Sequence, residues 1–244
     1  MSYCVGILLD QGLVMASDSR TSAGVDRVAT FQKMFVYEDP GERLFVVLTA
    51  GNLSITQSVI SILNDGVEGK RDRVNLLAVP SMYEAARTVG RALREVYNDD
   101  GPALKQHDIE FNASIIFGGQ VKGGRVRLFQ IYAPGNFIEA SPDTPYFQIG
   151  EVKYGKPVID RIITPKTGLI EAAKCALISF DSTMRSNVSV GPPIDLLIYK
   201  RDTQRIGLQV RLEETDPYLR NVRNLWSEGL VRTFTSVPDP EWKI

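Results

Sequence analysis

Two apolar runs, Tyr3-Cys4-Val5-Gly6-Ile7-Leu8-Leu9 and Leu13-Val14-Met15-Ala16, flank Asp10-Gln11-Gly12 with almost no polar residue inside them. The glycine supplies the positive φ of a short hairpin loop, so the runs read as two antiparallel strands. A strand that is apolar at nearly every position, rather than at every second one, is covered on both faces. The pattern recurs in Lys33-Met34-Phe35-Val36-Tyr37 and, after Asp39-Pro40-Gly41, in Leu44-Phe45-Val46-Val47-Leu48 running into Thr49-Ala50-Gly51. A sheet buried on both sides needs a layer above it and another below.

Helical patterns further along supply those layers. Leu53 to Leu63 is one candidate, and Met82 to Tyr97 a stronger one, with Met82, Ala85, Val89, Leu93, Val96 and Tyr97 on one stripe and a capping box, Ser81 and Glu84, at its start. Strands resume in Asn112 to Phe117 and Val126 to Tyr132, separated by a turn region of Gly118-Gly119 and Lys122-Gly123-Gly124, with a short strand at Tyr146 to Ile149. A third helix is expected from about Gly168 to Met184, followed by a hairpin of Ile194 to Tyr199 with Ile206 to Val210. Asp216-Pro217 is a good cap and first-turn pair for a last helix, which would bury Leu219, Val222, Trp226 and Leu230. Blocks of strands and helices with antiparallel hairpins predict an α+β fold with two sheets inside and helices outside, not a doubly wound parallel sheet. No linker, repeat or low-complexity tract interrupts the chain, so residues 1–244 are expected to form a single domain.

Composition narrows the function. At 43% hydrophobic and 23% charged over 244 residues, the chain is globular rather than disordered or fibrous. Its 28 basic and 29 acidic residues leave a net charge of −1 without runs of one sign, so no footprint for nucleic acid or an anionic membrane is present. No apolar stretch approaches the roughly 20 residues of a membrane span, and no basic-then-apolar leader opens the sequence, so a cytoplasmic location is expected. Cys4 and Cys175 fit neither a zinc spacing nor a disulfide framework, which suits a reducing compartment. His107 is the sole histidine, which nearly excludes a serine-protease triad and a multi-histidine metal site. No metal or organic cofactor is indicated.

The first hairpin also carries chemistry. About eight residues out and eight back return the chain to its starting level, so Ser2 is placed near Ser17 and Asp18. Met1-Ser2 alone is an ordinary beginning for an intracellular chain. With Met1 removed, however, Ser2 holds a hydroxyl nucleophile and an α-amine base in one residue. The amine has an unperturbed pKa of about 7.7 to 8.0, and a lysine cation nearby favours its neutral, basic form. Lys33, oriented by Asp18, is the candidate. Gly51 lies between an apolar strand and a helix, where a backbone N–H meets developing negative charge without a side chain in the way. Each residue has a plainer reading too: a strand-end turn for Asp18-Ser19-Arg20, a solvated lysine for Lys33, an ordinary strand-to-helix turn for Gly51.

Taken together, Met1-Ser2, the segment Ala16-Ser17-Asp18-Ser19-Arg20-Thr21-Ser22-Ala23-Gly24, Lys33 at a strand start and Leu48-Thr49-Ala50-Gly51 before a helix resemble the proteasome β-subunit family of N-terminal nucleophile hydrolases. The likeness follows element order over nearly the whole chain. Within the family it is strongest to the bacterial ancestral β-subunits, through Ser17 to Asp26, Val47 to Leu53 and the run Ser182-Thr183-Met184-Arg185-Ser186-Asn187-Val188-Ser189-Val190-Gly191-Pro192-Pro193. The resemblance implies a four-layer αββα sandwich, Ser2 as nucleophile, Asp18 and Lys33 as its activating pair, and the Gly51 amide in an oxyanion hole. It places Thr49 and Leu53 beside the pocket for the substrate side chain, with Arg20 in a supporting position. It also implies side-by-side assembly of identical subunits into a ring or an open spiral, and, by analogy, an ATP-dependent unfoldase as a partner.

This chain departs from the family pattern at three points. Serine replaces the usual threonine, keeping the oxygen and losing the methyl that helps fix the rotamer. Gly150 is followed by Glu151 where the family has serine, and a carboxylate there is able to hold a water or the amine. Ser189 matches a helper serine, but Ser186 stands in the place of the acidic residue three positions before it. Three readings therefore stand side by side: a peptidase acting through an ester on Ser2, a self-assembling scaffold with weak catalysis, and an amidase for a narrow class of small amides.

Overall fold

The computed structural model describes residues 2–22, 28–69 and 72–242. The expected hairpin is present: β1 (Tyr3–Leu9) pairs antiparallel with β2 (Gly12–Asp18), from Cys4 opposite Ser17 to Leu9 opposite Gly12. A small ribbon of β3 (Arg20–Ser22) and β4 (Val28–Thr30) follows, then β5 (Met34–Asp39) and β6 (Arg43–Gly51). Helices α1 (Leu53–Asp65) and α2 (Met82–Gln106) lead to β7 (Ala113–Val121), β8 (Arg127–Ile131), β9 (Phe137–Glu139) and β10 (Tyr146–Gly150). The chain ends with α3 (Lys156–Ile162), α4 (Leu169–Ser186), β11 (Ile194–Lys200), β12 (Leu208–Leu212) and α5 (Pro217–Ser236). This is a mixed α+β fold.

Two five-stranded antiparallel sheets organise it, one in the order β10-β1-β2-β11-β12 and the other β5-β6-β7-β8-β9. Alternation along single strands explains the near-continuous apolar runs, because successive residues feed different cores. On β2, Leu13 and Met15 meet Leu44, Val46, Leu48, Ile116 and Leu128 of the other sheet, while Val14 and Ala16 pack with Ala172, Ala176 and Phe180 of α4. On β6, Phe45 and Val47 turn the opposite way, to Val59 and Leu63 of α1 and Val89 and Leu93 of α2. Helix starts follow the caps: the Ser81 hydroxyl accepts the Glu84 N–H at 3.2 Å, and Asp216 accepts that of Leu219 at 3.0 Å. Among the described residues no helix is long and apolar enough to cross a membrane.

Several expectations change. Gly118 and Gly119 are not turn residues but lie within β7. A Cβ on Gly119 would stand 2.1 Å from the Leu44 carbonyl oxygen, so the close approach of β6 requires glycine. Helix α2 continues past Tyr97 to Gln106, through Asn98-Asp99-Asp100, which have no apolar stripe to announce them. Tyr97 is 53% exposed and rests edge-on against Phe111 rather than in the core. On α5, Leu219 and Val222 are buried and Trp226 is partly covered, but Leu230 is exposed, beyond the part of the helix that packs on α4.

Candidate active site

The β1–β2 register sets the site. With Cys4 opposite Ser17, Tyr3 comes beside Asp18, and the Tyr3 N–H donates to Asp18 Oδ1 at 3.0 Å. On the other edge of β1 the Ser2 carbonyl accepts the Glu151 N–H at 2.8 Å, just beyond the β1–β10 ladder. Ser2 is thus held by its main chain on both sides. It lines a cavity of about 820 Å³ together with Lys33, Thr49, Gly51 and Leu53. Met1 and residues 23–26, which belong to the sequence motifs, lie outside the described residues.

Lys33 enters from the start of β5 and is buried with Asp18. Its Nζ donates to Asp18 Oδ1 at 2.8 Å and to the Arg20 carbonyl at 2.6 Å. An ammonium has three donors, so one remains beyond those two bonds in a side chain that borders the cavity. Burial pushes the Asp18 carboxyl above its ordinary pKa, against the Lys33 charge and hydrogen bond and the Tyr3 amide, which favour the ionised form. The Gly191 amide adds a weaker pull in the same direction without meeting hydrogen-bond geometry at Oδ2, which is buried without a partner.

Gly51 closes β6 with φ +115°, and a Cβ there would stand 2.4 Å from the Asn112 carbonyl oxygen. Asn52 then caps α1 by accepting the Ser54 N–H at 3.0 Å. Strand end and helix start therefore meet at the cavity, which Gly51, Asn52, Leu53 and Thr56 line. Thr49, buried, and Leu53, half-buried, flank this corner.

Glu151 is buried behind Ser2, and its Oε2 accepts from Asn187 Nδ2 at 2.9 Å. The Asn187 Oδ1 accepts the Ser189 N–H at 3.0 Å. Ser189 therefore enters through its backbone and not its hydroxyl, and Ser186 is exposed. Arg20 also stands off the cavity. It donates to the Val188 carbonyl at 3.0 Å and lies against Gly191, where a Cβ would come within 2.3 Å of the guanidinium carbon. Asn187 is the residue sequence reasoning missed. Its signal was faint: an asparagine just past a helix end, two residues before a serine, where its side chain turns back onto a backbone amide. Thr21 and Phe31, also on the cavity wall, gave no signal. Among the described residues no group of three His, Cys, Asp or Glu could hold a metal ion.

Two helix-flanked antiparallel sheets, with a serine leading the first strand over a buried aspartate–lysine pair, define a protein of the proteasome β-subunit class. Solved structures make the assignment narrower. The chain is 49% identical to a Gly-1 mutant of Anbu from Hyphomicrobium sp. strain MC1, with a TM-score of 0.91, covering 99% of this chain and 100% of that one. Anbu, the ancestral β-subunit, from Yersinia bercovieri gives 49% identity and a TM-score of 0.90 over 99% and 100% of the two chains. The helical assembly of the Anbu complex from Pseudomonas aeruginosa gives 49% and 0.91, with 98% of each chain covered. The chain belongs to the Anbu family of ancestral proteasome β-subunits. No family model and no curated protein matches it.

Proposed function

We propose that the chain is an N-terminal serine hydrolase that cleaves peptide amide bonds through an ester on Ser2 after loss of Met1. The observation that carries this reading is the position of Ser2 on the cavity wall beside the buried Asp18–Lys33 pair. The freed α-amine, directly or through a water, takes the Ser2 proton as the hydroxyl attacks; Lys33 and Asp18 set the electrostatics; the Gly51 N–H stabilises the oxyanion. The leaving amine takes a proton and departs, and water then hydrolyses the ester to release the acid and restore Ser2. Thr49 and Leu53 receive the substrate side chain. Three cores separating helices, sheet, sheet and helices support a four-layer αββα sandwich and a single domain over residues 1–244. Ser2→Ala should abolish hydrolysis of a broad peptide panel and adduct formation with a peptide electrophile, read by mass spectrometry. Unchanged hydrolysis would sink the assignment.

The assembly is proposed to be homo-oligomeric, in a cytoplasmic setting, since the Pseudomonas aeruginosa relative forms a helical assembly. Negative-stain imaging separates an open helix from a closed ring. An unfoldase partner rests on family analogy alone. The Glu151–Asn187 contact, which replaces the family's helper pattern, favours a second reading as a scaffold with weak catalysis. Met1 retained in the intact mass of protein from its native cell would support that reading, and rapid turnover of small amides alone would support a narrow amidase.

A further inference from the structure

We propose that Glu151, oriented by Asn187, is the anionic anchor of the Ser2 α-ammonium, and that hydrolysis is thereby confined to alkaline conditions. This rests on the reading of Ser2 as an N-terminal nucleophile. The amide of Asn187 is fixed in one orientation, because the Ser189 N–H needs an acceptor and so takes Oδ1. The NH₂ group must then face Glu151, and it donates to Oε2 at 2.9 Å. Among the described residues Oε1 makes no hydrogen bond. Glu151 is tied to Ser2 through its own backbone N–H, and the amine of Ser2 is three bonds from the carbonyl oxygen that accepts it. A glutamate side chain spans that interval.

Other charged groups also stand near the start of β1. From β2 and β5, Asp18 and Lys33 form a pair of zero net charge. Arg20 of β3 donates from its guanidinium to the carbonyl of Val188, the residue after Asn187. The end of α4 brings Asn187, which is neutral, and Arg185, which is exposed and donates to Ser227 on α5. Glu151, tied to Ser2 through its backbone, has no ion-pair partner among the described residues. A carboxylate within contact raises the pKa of a cation by about one to three pH units. Because the base must lose that proton before it can take one from the hydroxyl, activity rises through an alkaline limb. Glu151 touches the base and is catalytic in that sense, whereas Asn187 acts through Glu151 and is a positioning residue.

The test uses full-length protein produced with Ser2 as its first residue. The amine is titrated by competitive acylation across pH, read as the mass of the N-terminal peptide, alongside the rate of Ser2 adduct formation with a peptide electrophile. Glu151→Gln, close in shape, should move both limbs at least one pH unit down, giving roughly five- to tenfold faster adduct formation one unit below the wild-type limb. Asn187→Asp, which adds a second carboxylate, should move them up. An acylation limb unmoved in Glu151→Gln overturns the inference, whatever the catalysis. A limb that moves as expected while no adduct forms at any pH keeps the anchor and overturns the hydrolase reading instead. Glu151→Ser, with a melting measurement for each variant, guards against a loss caused by unfolding.

Discussion

Replacing Lys33 by methionine would leave the Asp18 carboxylate without its counter-ion in a place water does not reach. Breaking one side of a buried ion pair costs about 3–5 kcal/mol, so Lys33→Met should lower the denaturation midpoint as well as abolish adduct formation at Ser2. The sign of its pH dependence follows from the raised Asp18 pKa. A carboxyl with a folded-state pKa above its unfolded value contributes stability below the unfolded value and loses it as pH rises through the folded one. Removing the ammonium raises the folded value further, so the deficit of the variant should be larger at pH 7 than at pH 4 in urea titrations. Asp18→Asn added to Lys33→Met should restore part of the stability and none of the activity. That Ser2 and Asp18 come together was legible from hairpin arithmetic, and that Lys33 and Gly51 join them was legible from the family motifs. Asn187 was not, since its role depends on a helix end meeting the end of β10, and no local pattern encodes that meeting.

At the level of single elements, legibility tracks the strength of an apolar period. The longer strands of both sheets and helices α1 and α4 stand out because their residues feed cores on defined faces. The seven-residue α3, the three-residue strands β3, β4 and β9, and the polar end of α2 do not, since each is stabilised by tertiary context rather than by its own stripe. Gly118-Gly119 misled for a physical reason: glycine marks turns, but it also marks a place where another backbone or sheet comes close. Gly119→Ala should therefore destabilise the fold by about 1–3 kcal/mol, measured by chemical denaturation, because its Cβ meets the Leu44 carbonyl oxygen in the neighbouring strand.

Across the whole molecule, buried groups that ionise only at high pH set an alkaline limit to stability. Burial pushes the Cys175 thiol up to about 11 and the Cys4 thiol and Tyr3 phenol up as well. The unfolded chain loses these protons at lower pH than the folded one, so stability should fall as pH rises above about 9. Urea midpoints at pH 8 and pH 10.5 check this, and a thiol reagent at pH 8 should modify neither cysteine until urea is added. The sheet order β10-β1-β2-β11-β12 has a further consequence in the time of synthesis. The hairpin that follows the serine is made well before its two flanking partners, since β10 beside β1 and β11 beside β2 come some 140 and 180 residues later. Most of the cavity wall is therefore made before the sheet neighbours that fix Ser2 in place, and under the proposed function the serine is positioned only once β10 and β11 have joined the hairpin.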